Sequence, residues 1–111
     1  MKLDRNLEGN KGRGKYAILN IRKIDSFPKN SISVKEVHQA LMLLAEHGVL
    51  DWGEVGSDSE FFLIKLKDEY ALPALKAYAN AAEDDDFEYA TEVRDLANRS
   101  GRYSKFCKKP D

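Results

Sequence analysis

The fold turns on residues 60–66, EFFLIKL. Read as a strand, this run puts Phe62 and Ile64 on one side and Phe61, Leu63 and Lys65 on the other, and apolar residues on both faces mark an interior strand. Gly56, Ser57, Asp58 and Ser59 precede it. They supply the turn chemistry of a hairpin to a second short apolar strand, Val49 to Val55.

Upstream of the hairpin, Val34, Val37, Leu41 and Leu44 recur at helical spacing. Ser33 stands as N-cap with Glu36 three residues on, and Gly48 follows His47 where a left-handed residue ends a helix, so a helix is expected over 34–47. The run YAILNIRKI at 16–24 alternates Ala17, Leu19 and Ile21 against Tyr16, Ile18, Asn20 and Arg22, which predicts another strand. Ser26, Pro28, Asn30 and Ser31 then turn the chain.

Downstream, Asp68 is the candidate N-cap of a helix in EYALPALKAYANAA, and this helix must start late enough to keep Pro73 in its first turn. Tyr70, Ala74, Ala77, Tyr78 and Ala81 form its small-residue face. The acids at 83–86 interrupt the apolar pattern and favour the positive N-terminus of a further helix, Phe87 to Asn98. That helix carries the stripe Phe87, Ala90, Val93 and Ala97, and Gly101 ends it.

The order β-α-β-β-α-α predicts one α+β domain over 1–111. Its three-stranded, antiparallel-type sheet closes as a ferredoxin-like split βαβ unit with the helices on one face. Residues 1–14, with Gly9, Gly12 and Gly14 among basic residues, are expected to be a flexible arm, and 102–111 a basic tail.

Composition narrows the function classes. The chain is 42% apolar and 33% charged, and its net charge of −1 conceals a sorted distribution. Residues 1–23 carry seven Lys/Arg against two acids and 99–111 five against one, while the middle carries six against sixteen. Basic ends around an acidic body suit an anionic ligand or the body of a neighbouring subunit. The apolar run within a helical stretch, Ala40 to Ala45, is far short of the roughly 20 residues of a membrane span. The opening MKLDR lacks the apolar stretch of a secretory signal, so the expected location is the cytoplasm.

Catalytic constellations do not emerge. His38 and His47 stand nine residues apart on one helix, which places them on opposite sides of it. Cys107 has no second thiol, so neither a disulfide nor a cysteine metal cluster is expected. Asp84, Asp85 and Asp86 lack the alternating spacing of a calcium loop. Gly12, Arg13, Gly14 and Lys15 precede a strand and lack the GxxxxGK[ST] pattern, which excludes a Walker loop and leaves a basic arm able to close over an anion. Arg99, Arg102, Lys105, Lys108 and Lys109, interleaved with Tyr103 and Phe106, form a second such segment, since aromatic rings stack bases while cations hold phosphate. The helix at 34–47 followed by a hairpin is similar to the second half of a winged helix. Its exposed Lys35, Glu36, Gln39 and Glu46 do not make the basic surface that phosphate contact requires.

GRGKYAILNIRKI at 12–24 and EFFLIKLKDEYALPALKAYANAA at 60–82, the latter followed by an acidic turn and a short helix, resemble a group of small uncharacterised accessory proteins encoded by phages and prophages. The resemblance carries no active residues. It implies an accessory protein that acts by binding: inhibiting a host defence factor, sequestering a nucleotide signal or masking nucleic acid.

The expectation is therefore a non-enzymatic binding protein in the host cytoplasm, without cofactor, metal or membrane attachment. Its partner is a host protein or an anionic ligand. It assembles as a homo-oligomer, with Tyr16, Trp52 and Tyr70 as contact anchors. The alternative is a nucleic-acid or nucleotide binder that uses Arg13, Lys15, Arg99, Arg102 and Lys105. Convergence of Lys15 and Arg99 in the fold would make one composite site.

Overall fold

A computed structural model describes residues 1, 3, 12–28 and 32–110. Most of the expected N-terminal arm, and Asn30 and Ser31 of the expected turn, lie outside the described residues. Helices dominate: α1 (Ile21–Asp25), α2 (Ile32–Glu46), α3 (Ala71–Ala82), α4 (Phe87–Ala97) and a short 3-10 helix (Gly101–Tyr103).

No sheet forms among the described residues. Their single β-type pairing is an isolated parallel bridge between Asp68 and Lys108. The expected α+β, ferredoxin-like fold is thus corrected to a helical one, and each missing strand has a local cause. Ile21 to Asp25 are helical because the Asn20 side chain caps them, its Oδ1 accepting the Lys23 N–H at 3.0 Å. Ile21 and Ile24 are the half-buried residues of α1, a spacing of three that suits a helix as well as the alternation suited a strand.

Around 49–60, side chains and the end of α2 consume the donors a hairpin needs. The Val49 and Leu50 N–H groups both donate to the Leu44 carbonyl, at 2.9 and 3.1 Å, and Gly48 closes the helix at φ +68°. Asp51 Oδ1 accepts the Gly53 N–H at 2.9 Å and the Ser59 hydroxyl at 3.0 Å. Glu60 Oε1 accepts the Gly56 N–H at 2.9 Å. The EFFLIKL run is left without a ladder, and Phe61 and Phe62 are 68% and 88% exposed.

The helices α2, α3 and α4 lie where periodicity placed them, with differences at their starts. Ser33 falls inside α2 and so is not its cap. Tyr70 is the N-cap of α3, while Asp68, two residues earlier, accepts the Tyr70 N–H on Oδ1 at 2.8 Å. Pro73 sits in the first turn of α3, where its missing N–H leaves no intrahelical bond unmade. Asp86 caps α4, Oδ1 accepting the Tyr89 N–H at 3.0 Å. The Met1 amino group, 2.8 Å from Oδ2, and that capping bond together hold the Asp86 carboxyl below its ordinary range.

The described residues divide into two compact units, 17–62 and 63–110, the second also taking in the described residues up to Tyr16. In the first unit Leu41 of α2 is buried, with Val34, Val37 and Ala45 half-buried beside it at helical spacing. In the second, α3 packs on α4, and the buried residues are Ala71, Leu72 and Ala79 of α3 and Ala90, Val93 and Ala97 of α4. This corrects the expected face of α3: Ala77, Tyr78 and Ala81 are exposed.

Across the open side of that helix pair, the Tyr78 and Tyr89 hydroxyls lie 2.9 Å apart, their rings edge to face at 75° with centroids 6.1 Å apart. The Tyr78 hydroxyl, and then burial, push the Tyr89 phenol from 10.0 up to about 12. Above pH 10 the unfolded chain releases this proton while the folded one keeps it, so stability is full below about pH 10 and falls as pH rises toward 12. Tyr89→Phe is expected to flatten the alkaline limb of the denaturant midpoint relative to the wild type, measured from about pH 9 to pH 11.

Candidate anion-binding site

The segment after α4 is tied down, although its sequence lacks the apolar content to pack. The Ser100 side chain is fully buried and its hydroxyl donates to the Ala97 carbonyl at 2.7 Å. Gly101 follows at φ +54°, and its N–H donates to the Leu66 carbonyl at 2.8 Å. A turn from Ser104 to Cys107, closed by a 3.1 Å bond, then brings the chain back alongside residues 67–69. There Lys108 donates to the Lys67 carbonyl at 2.9 Å and accepts the Glu69 N–H at 3.0 Å.

That backbone pairing sets two short basic motifs side by side. Lys65 and Lys67 come from the approach to α3, Lys108 and Lys109 from the returning segment, and together they line a depression of about 220 Å³ walled by Leu63 and Pro110. Asp68 is its one acid, and Oδ1 of that carboxylate is already engaged by the Tyr70 N–H. Lys65, Lys67 and Lys109 form no ion pair among the described residues. Four lysines around one carboxylate make the lining of this depression positive on balance.

A second depression, of about 210 Å³, lies across α3 and α4, with Lys76, Asn80, Arg94 and Asn98 on its walls. Its guanidinium is already occupied: Arg94 Nη2 donates to Asn80 Oδ1 at 3.0 Å and pairs with Glu83 at 3.2 Å. The lysine depression is therefore the stronger anion site.

The expected site residues are distributed unevenly around it. Arg102 and Lys105 belong to the same returning segment, each on its neighbour's ring. The Arg102 guanidinium stands 5.1 Å from the centre of the Tyr103 ring, and Nη2 donates to the Tyr103 hydroxyl at 3.2 Å. Arg102, through its hydrogen bond and then its charge, lowers the Tyr103 phenol from its ordinary value; burial opposes it, and Lys76 adds a still smaller lowering. Lys105 Nζ stands 5.0 Å from the centre of the Phe106 ring. Arg99 is exposed just past α4.

Arg13 and Lys15 are exposed, and Lys15 Nζ lies 5.2 Å from the centre of the Tyr16 ring. Arg13, Lys15, Arg99, Arg102 and Lys105 all belong to the unit that holds α3 and α4. Of the expected contact anchors, Trp52 belongs to unit 17–62, and Tyr16 and Tyr70 to the other. All three are exposed.

Lys65, Lys67, Lys108 and Lys109 were missed as a group by sequence reasoning. The sequence places Lys108 and Lys109 in the second anion-binding segment but Lys65 on a strand face, and it does not join the two. The signal was the pair of doublets, K-x-K and K-K, but only the bridge at Asp68 and Lys108 shows that they are neighbours.

Among the described residues no cluster of His, Cys, Asp and Glu is arranged to hold a metal ion, and no helix is long and apolar enough to cross a membrane. No protein-family model matches the chain, and no curated protein or solved structure matches it either.

Proposed function

We propose that this chain is a non-enzymatic binding protein for a multiply charged anion, seated on Lys65, Lys67, Lys108 and Lys109. The observation that carries the reading is the backbone pairing of 67–69 with 108, which holds two lysine doublets together around a single carboxylate, that of Asp68. The resemblance to phage and prophage accessory proteins, which implies action by binding, agrees with it.

The depression favours one anionic group over a whole small molecule. Its volume of about 220 Å³ is below the roughly 300–1,000 Å³ of pockets that enclose a drug-sized ligand. A ligand that satisfies four lysines must therefore be a chain of charges that continues across the surface.

Binding of long-chain inorganic polyphosphate, followed by fluorescence polarisation over a salt series, tests the reading. Replacing all four lysines by Gln is expected to lower the magnitude of the slope of log K against log salt by about 3, close to 0.7–0.9 per cation. Affinity at low salt should drop by two orders of magnitude or more, roughly. Lys35→Gln, in the other unit, should leave both unchanged. Wild-type slope and affinity in the fourfold variant would count against the site.

A further inference from the structure

From the rings beside the lysine depression we infer that the anion is a single-stranded nucleic acid, its phosphates on the four lysines and its bases on Tyr103 and Phe106. This deepens the polyanion reading and rests on it.

Aromatic side chains are ordinarily withdrawn from water, because burying their large apolar surface is favourable. Here Tyr103 and Phe106 remain 53% and 66% exposed on a segment fixed at both ends by backbone hydrogen bonds, from Gly101 to Leu66 and from Lys108 to Lys67. Between them the turn at Ser104 to Cys107 is closed locally, and Ser104 Oγ accepts the Phe106 N–H at 3.1 Å. Both rings are thus held in place while presented to solvent. Arg102 and Lys105 sit on them, so each ring comes with a cation, the pairing that serves a base and its phosphate together.

The distance to the phosphate site is short. Phe106 is two residues from Lys108, and a chain spans at most about 3.6 Å per residue. One continuous strand can therefore reach lysines and ring together.

A duplex fits less well. Reading a groove takes a helix with cations along its exposed face. Instead α4 exposes Glu88, Glu92 and Asp95, and Lys76 is the one charged residue of α3. Stacking, by contrast, needs bases whose faces are free, and these a single strand offers.

Oligo-dT and oligo-U of about a dozen nucleotides, an abasic oligomer of equal charge, a DNA duplex and polyphosphate form the test panel. The wild type should bind dT or U more tightly than the abasic oligomer, the comparison of the two also showing whether DNA or RNA is preferred. Tyr103→Ala and Phe106→Ala should each weaken oligonucleotide binding about five-fold or more and leave polyphosphate binding unchanged, whereas Tyr103→Phe and Phe106→Tyr should restore it. Both rings are exposed, so the variants should keep the wild-type circular dichroism. Equal binding of dT and abasic oligomers, silent alanine variants or a preference for duplex would overturn the inference while the polyanion site stands. Absence of polyphosphate binding by the wild type would remove both.

Discussion

Gly101→Ala should destabilise the unit of α3 and α4 by about 2–3 kcal/mol. Two separate effects meet at this residue. Its φ of +54° lies in the left-handed region, where a Cβ costs roughly 1–2 kcal/mol. That Cβ would also stand 2.9 Å from Leu72 Cβ and 3.3 Å from the Glu69 carbonyl oxygen. Leu72 is 6% exposed, in the first turn of α3, and has no free space into which to withdraw, so overpacking adds about another 1 kcal/mol.

Gly48 separates the two effects. Its φ is +68° and nothing lies within 4 Å of the Cβ it lacks, so Gly48→Ala should show the backbone cost alone, about 1 kcal/mol. Thermal unfolding checks the comparison, with a fall of roughly 8–15 °C at position 101. Equal effects at the two positions would mean that Leu72 is not a wall.

Ala79→Leu is the second large effect. Ala79 and Ala90 are both fully buried where α3 packs on α4, and the small side chains allow the helices to approach closely. Leu at position 79 has to part the helices or twist off its rotamer, a cost of about 3 kcal/mol, the upper end of the usual range for overpacking. Ala77→Leu, on the exposed side of the same helix, should stay within about 0.5 kcal/mol of the wild type. Urea midpoints at constant m read the difference. The reverse result would place the buried face where the sequence alone put it.

Position 77 shows how far the sequence was legible. The segment ALPALKAYANAA carries Ala at 71, 74, 77, 79, 81 and 82, so small residues lie on every side of the helix and no stripe stands out. Its ends were clear, because Pro73 limits where the helix starts and the acids at 83–86 where it stops. In α4 the stripe was legible, since Glu88, Glu92, Arg94 and Asp95 mark the wet side, and Ala90, Val93 and Ala97 are buried as expected. Phe87 is the exception, lying outside the packed face.

The strands failed for a different reason. A strand exists only through a partner, and alternation in YAILNIRKI or EFFLIKL describes fitness for pairing without naming one. Local capping was stronger. Asn20 turned the first run into α1, and Asp51 and Glu60 took up the donors of the intended hairpin. The same limit hid the lysine site, whose two halves are some forty residues apart in the chain and meet through a bridge that depends on Gly101 and Ser100. Basic residues at 99–109 were recognised as an anion-binding segment, but their immobilisation was not.

The pairing of Lys108 with Lys67 and Glu69 has an energetic meaning beyond geometry. It closes a latch against like charge: each time the returning segment docks, Lys108 and Lys109 are brought toward Lys65 and Lys67, and their mutual repulsion favours release. The proposed polyanion would reverse that sign, because it is attracted to all four at once only when the latch is shut. On that proposal occupancy and closure would form one linked equilibrium, in which every tenfold rise in free ligand above its dissociation constant adds about 1.4 kcal/mol to the closed state. Three backbone hydrogen bonds, from Gly101, Lys108 and Glu69, hold the segment in place, and the proposed polyanion would add its own attraction to theirs.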